Sequence, residues 1–177
     1  ELDAAQTAIT NLTKTGDLNT GGDGKIDSDY TFVAQSGLNV IDIKTGDNDF
    51  LIQNCNFVID GPADARVIFR LPKKDNMLIS NANVLIGNSG IGVNSVLFYT
   101  AQAEDDTHFS FSNTILNGVA FWSLGRDGGS IDISNAQGCT QLIADIVDMD
   151  DVRFTHCSVP DPIPEPMTVV LLGVGLA

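Results

Sequence analysis

The chain of 177 residues is long enough for one domain with its own core, and a hydrophobic content of 43% separates it from disordered sequences. Its net charge of −14, with only 9 Lys and Arg, argues against a nucleic-acid partner, because phosphate contacts need clustered cations. The acidity is nearly all Asp, and together with 17 Gly it favours turns and loop edges over helix interiors, as in a loop-rich all-β domain.

Residues 1–15 read as a helix. Leu2, Ala5, Ile9 and Leu12 fall on one face at helical spacing, and Gly16 supplies a stop. Such an amphipathic helix must bury its face on whatever follows. Next come Asp17-x-Asn19 and Gly22-Asp23-Gly24-Lys25-Ile26-Asp27, which echo a calcium loop. The ligand spacing fails, with Gly21 at the fifth position and Ser28 at the twelfth, so the stretch reads as a Gly/Asp connector. No metal and no cofactor is expected.

From residue 40 onward the chain repeats. Phe50-x-Ile52-x-Asn54, Met77-x-Ile79-x-Asn81, Phe109-x-Phe111-x-Asn113, Ile131-x-Ile133-x-Asn135 and Val152-x-Phe154-x-His156 share one pattern. A second set precedes them: Val40-Ile41-Asp42-Ile43, Val67-Ile68-Phe69-Arg70, Val96-Leu97-Phe98-Tyr99, Val119-Ala120-Phe121-Trp122 and Leu142-Ile143-Ala144-Asp145. A third follows the Asn in the early repeats, as Phe57-Val58-Ile59, Val84-Leu85-Ile86 and Ile115-Leu116. Periods of about 20 to 30 residues with two or three short strands predict a solenoid, too short for βαβ units. The fold class is therefore all-β: a parallel, right-handed β-helix over residues 16–158, of about four to five coils, with the N-terminal helix packed alongside. An ordinary β-sandwich with evenly spaced strands is the alternative.

The repeats nominate sites. Asn54, Asn81, Asn113 and Asn135 should stack as a structural ladder at one corner, with His156 in the fifth place. The fourth column of the second set is Ile43, Arg70, Tyr99, Trp122 and Asp145. Its Arg70, Tyr99 and Trp122 form a candidate carbohydrate-binding strip, unless the column lies under the N-terminal helix. Asp145, Asp148, Asp150 and Asp151 with Arg153 are the densest carboxylate group. They could serve a polysaccharide lyase or hydrolase, but they read better as a solvated turn. His108 and His156 belong to no Ser/His/Asp signature. Ice binding would want a regular Thr-rich face, and Thr occurs mostly singly. Of the 3 cysteines, none forms C-x-x-C. Cys139 and Cys157 lie in neighbouring coils and are a candidate disulfide, whereas Cys55 lies several coils away.

Residues 159–166 carry alternating prolines and read as a stiff linker. Residues 167–177 are uncharged and apolar, about half of the ~20 residues a membrane span needs. The chain opens on Glu1 and stops inside this run, so both ends read as trimmed. Ile163-Pro164-Glu165-Pro166-Met167-Thr168, continued by Leu171-Leu172-Gly173, resembles the PEP-CTERM sorting domain. That family places a Pro-Glu-Pro motif before a transmembrane helix and a basic cluster, and an integral-membrane exosortase processes it. Pro164, Glu165 and Pro166 match the motif, and the basic cluster is absent here. The body is similar in strand order to the β-helical domains of choice-of-anchor A proteins and bacterial ice-binding proteins. The resemblance implies a non-enzymatic exported bacterial protein of the cell surface, envelope or exopolysaccharide matrix of a biofilm. Its partners would be exosortase and, through the solenoid, surface glycans, with membrane contact only through the shortened C-terminal segment. A carbohydrate-active enzyme using residues 145–151 is the alternative function.

Overall fold

A computed structural model describes residues 2–46, 48–71, 75–100, 107–122 and 129–155. Among the described residues a helix, α1 (Leu2–Thr10), precedes a 13-stranded sheet in which the strand pairs are parallel. The chain visits three faces in turn. The first face stacks β1 (Gly16–Asn19), β4 (Leu38–Lys44), β7 (Arg66–Leu71) and β10 (Val96–Thr100), then the ends of β11 (His108–Trp122) and β12 (Ser130–Ile143). The second stacks β2 (Lys25–Ile26), β5 (Phe50–Gln53) and β8 (Met77–Ser80), then the starts of β11, β12 and β13 (Ile146–Phe154). The third stacks β3 (Tyr30–Val33), β6 (Asn56–Asp60) and β9 (Asn83–Ile86), then the middles of β11 and β12 and the end of β13. This is the parallel solenoid that the repeats imply.

Alternation explains why these segments are strands. On β5 and β8 every second side chain is buried, and Phe50, Ile52, Met77 and Ile79 point inward. Aromatic rings stack down the interior: Phe57 and Phe69 lie with centroids 5.6 Å apart, Phe69 and Phe98 5.4 Å, and Phe109 and Trp122 5.0 Å. Such centroid distances give an edge-to-face or offset contact at each step and fix each coil on the next.

The solenoid begins one coil earlier than the repeats reveal. Strands β1, β2 and β3 use residues 16–33, including the stretch read as a calcium-like connector, and Asp17 and Asn19 lie on β1. β1 and β2 are short and carry one apolar residue each, Leu18 and Ile26, so the repeating apolar pattern is not visible there; β3 is apolar but stands outside that pattern.

The turn from the second to the third face has a fixed chemistry. Asn54, Asn81, Asn113 and Asn135 adopt φ of 53°, 49°, 50° and 46°, the left-handed region that Asn tolerates better than most residues. The fifth corner is Asp151, at φ 48°. Ser134 pairs with Asp150 and Ala136 with Val152, which puts Asp151 beside Asn135. The sequence assignment of this corner to His156 is therefore corrected, and His156 itself lies outside the described residues. The fifth repeat is Val147-x-Met149-x-Asp151. Asp, whose short side chain tolerates the same backbone, stands there in the place that Asn holds at the other four corners.

The first face corrects a second expectation. Val40 pairs with Ile68, not Val67, and Val119 pairs with Leu97, not Val96. A slip of one residue sends a side chain to the opposite side of a strand. The face is apolar on both sides, so the sequence had no two-residue period to set the register. Inward residues join the interior core. Outward Ile68, Leu97, Val119 and Phe121 form a second apolar layer with Ala5 and Ile9 of α1.

Candidate functional site

The strip proposed from Arg70, Tyr99 and Trp122 does not exist as a surface. The true column runs Asp42, Arg70, Tyr99, Phe121, and Thr100 pairs with Trp122. Trp122 points inward, 0% exposed, against Phe109. Tyr99 is buried under α1, where its hydroxyl donates to the Gln6 carbonyl at 2.8 Å and meets the Thr10 hydroxyl at 2.8 Å. Burial pushes its phenol above the ordinary value. Arg70 donates to the carbonyls of Thr10 (3.0 Å) and Leu12 (3.1 Å), and its Nε bonds Asp42 at 2.7 Å. The guanidinium thus satisfies carbonyls that the end of α1 leaves open. Arg70 and Tyr99 hold the helix and Trp122 fills the core, so the three form no strip for a sugar.

The corner ladder is built as follows. The Asn113 amide donates to Asn81 at 3.1 Å, and the Asn135 amide donates to Asn113 at 2.7 Å. At Asn54 and Asn81 the backbone N–H groups also donate across the coil, to the carbonyls of Ser80 and Ser112. A second polar ladder, which no sequence signal had marked, stands on the third face. Asn56 donates to Asp29, Asn83 donates to Asn56 at 2.9 Å, and the Ile115 N–H donates to Asn83. The usable signal was Asn two places after each corner, visible only in the early coils.

The carboxylate group at the C-terminal end is spread along a strand and its corner rather than gathered in one turn. Asp148, Asp150 and Arg153 lie on β13 either side of the corner at Asp151, Asp145 immediately precedes the strand, and among the described residues β13 pairs with β12. Asp148 and Asp150 share the outward side of a flat face, with Asp148 in register with Asp132. Among the described residues no group of three or more His, Cys, Asp or Glu is placed to hold a metal ion.

Folding does assemble one Ser, His and Asp. His108 pairs with Ser130 across β11 and β12, so His108 Nδ1 meets both the Ser130 hydroxyl and, at 3.1 Å, the Asp132 carboxylate. The Ser130 hydroxyl also donates to Asp132 at 2.9 Å. A relay needs serine on one ring nitrogen and carboxylate on the other. Here both occupy Nδ1, so the imidazole cannot pass a proton from one to the other. The cluster is a surface tie between coils, consistent with the 46% exposure of His108.

Cys55 keeps a free, buried thiol, whose burial raises its pKa. Cys139 is disulfide-bonded. Cys157, Pro164, Glu165 and Pro166 lie outside the described residues. Among the described residues no helix is long and apolar enough to cross a membrane.

Fold and faces together define, among the described residues, a parallel β-solenoid flanked by one α-helix on its first face. Among solved structures it is similar to an ice-binding protein from the Antarctic ascomycete Antarctomyces psychrotrophicus, with a TM-score of 0.63 and 15% identity, over 89% of this chain and 68% of that one. At that identity the likeness speaks for the β-helical fold. No family model matches the chain, and no curated protein matches it.

Proposed function

We propose that the chain is the solenoid of an exported bacterial envelope protein, with a structural or adhesive role at the cell surface or in the exopolysaccharide matrix, and no enzymatic activity. One observation carries the reading: Pro164-Glu165-Pro166 and an uncharged apolar run stand directly behind a solenoid. The motif would be handled by exosortase, and the apolar run would hold the chain at the membrane until then. Two further features support a surface role. The second and third faces carry outward Ser, Asn and Asp, which keep a rigid body well hydrated. The inter-coil ties are hydrogen bonds and stacked rings, which need no cofactor. Any contact with surface glycans would use these two faces, since α1 covers the first.

The test is expression of the full-length gene in its host with and without exosortase. A shorter, surface-released form should appear only when exosortase is present. The same size and location in both strains would sink the sorting reading.

A further inference from the structure

We propose that the solenoid stacks head to tail on a second copy of this chain, the first coil of one copy seated on the last coil of the other. Among the described residues β1, β2 and β3 each pair on one side only, with β4, β5 and β6, and β13 pairs only with β12. Open strand edges of this kind accept a further strand of matching register. The inward columns are also exposed where they end. Met149 is 56% exposed although Ile133, its neighbour in the column, is 4% exposed, and Tyr30 is 40% exposed beside a buried Phe57. The helix α1 packs elsewhere, on the outer side of the first face, against Ile68, Leu97, Val119 and Phe121.

The columns choose the occupant. Lys25, Leu51, Leu78, Ser110, Asp132 and Asp148 form one outward column from the first coil to the last. A copy added in the same register therefore sets its Lys25 on Asp148. The adjacent inward column runs from Ile26 to Met149, so Ile26 of the added copy covers Met149. On the third face the Asn56 N–H donates to Asp29, and the column continues through Asn83, Ile115 and Gln137 to Arg153. Asp29 of the added copy thus falls on Arg153. One residue further, Tyr30 falls on Phe154 and repeats on its free side the stacked contact it makes with Phe57 at 5.9 Å. Asp27 falls on Asp150, and that pair opposes the stack. The apolar pairs supply the attraction, and the two opposite-charge pairs fix register and direction. Two C-terminal ends set face to face would instead bring Asp148 and Asp150 against their own kind. A contact between unlike ends leaves an end open after each addition, so copies add without a fixed number. The contact is made by residues 25–30 and 148–154 and is independent of sorting.

Sedimentation velocity of the 177-residue chain at about 0.15 M salt, up to about millimolar concentration, reads the stack. The mass should grow with concentration past a dimer. A monomer throughout overturns the proposal, and so does growth that stops at two copies. A charge swap tests the register. Lys25→Asp alone and Asp148→Lys alone should each weaken association about tenfold, and mixing the two variants should restore it, because each altered end then meets its complement. Unchanged association of the single variants, or a mixture no better than either, overturns the register. Should a variant fail to fold, the native chain decides alone. A carbodiimide joins Lys25 to Asp148 only where they touch, and within one chain they stand five rungs apart, about 24 Å at about 4.8 Å per rung. A digest must therefore yield the Lys25–Asp148 peptide from cross-linked oligomers, and its absence refutes the contact.

Discussion

The residue that best exposes the logic of this fold is Asn113. Its side chain donates to Asn81 and accepts from Asn135, while its backbone sits at φ 50°. Two separable effects follow. An alanine there loses both ladder bonds and strains a left-handed backbone, each bond being worth about 1 kcal/mol and the strain about 1 to 2 kcal/mol. A glycine loses the bonds but not the backbone ease. Asn113→Ala should therefore cost about 3 kcal/mol and Asn113→Gly about 2 kcal/mol, read from urea midpoints at constant slope. Equal losses would mean that the backbone conformation carries no share. The ladder was legible in the sequence because only a few residues suit this corner, and Asn recurs at it. Its last member was not, since Asp151 meets the same backbone demand with a different name. The tie of His108, Ser130 and Asp132 was illegible for another reason: it depends on the register between two coils, and no single segment records that.

At the scale of elements, α1 is held by a buried hydroxyl and a guanidinium as much as by its apolar face. Tyr99→Phe removes the donor to Gln6 and should loosen the helix by about 1 kcal/mol, seen as faster amide exchange over residues 2–10 with the interior unchanged. The same phenol makes docking sensitive to alkali. Its folded pKa is raised by burial, so its contribution is complete below the unfolded value of about 10. It is then lost as pH rises through the folded value. A stability profile from about pH 9 to about pH 12 should fall for the native chain and flatten in Tyr99→Phe. Arg70→Gln tests the other hold. It strands Asp42, whose side chain is 14% exposed, and should cost up to about 3 kcal/mol; adding Asp42→Asn should recover part of that in a double-mutant cycle. Purely additive losses would show that the pair is not coupled. The helix and the repeating strands could be read from sequence because each has one apolar side and one polar side. The register of the first face could not, because α1 makes both of its sides apolar and erases the alternation. That missing period turned Arg70, Tyr99 and Trp122 into a sugar strip on paper, when two of them hold a helix and the third fills the core.

For the whole molecule the dominant long-range term is charge. A net −14 is carried on a stack whose rungs stand about 4.8 Å apart, so acids in register repel along the axis. Asp132 above Asp148 and Asp17 above Asp42 are such pairs. Some are relieved locally: the Lys14 ammonium, hydrogen-bonded at 3.0 Å, is the main cause that lowers the Asp17 pKa, and Arg70 faces Asp42. At the C-terminal coil, Asp148 and Asp150 share an exposed side of one strand. Screening shortens the Debye length from about 30 Å at 0.01 M salt to about 3 Å at 1 M, which removes repulsion between rungs while leaving contact pairs partly intact. Sodium chloride over that range should raise the unfolding temperature by roughly a few degrees, and Asp148→Asn should reduce the rise. Chloride is the right salt, because sulfate would also strengthen apolar burial and confound the reading. A fall in unfolding temperature with salt would mean that pairs such as Lys14 with Asp17 outweigh the stacked acids. Acid cannot substitute for salt in this test. Asp60, held low chiefly by the Ser89 hydroxyl, and Asp17 both contribute stability above their unfolded values and lose it as pH falls through their folded ones. Protonation would therefore relieve the repulsion and break these contacts together, and only salt separates the two.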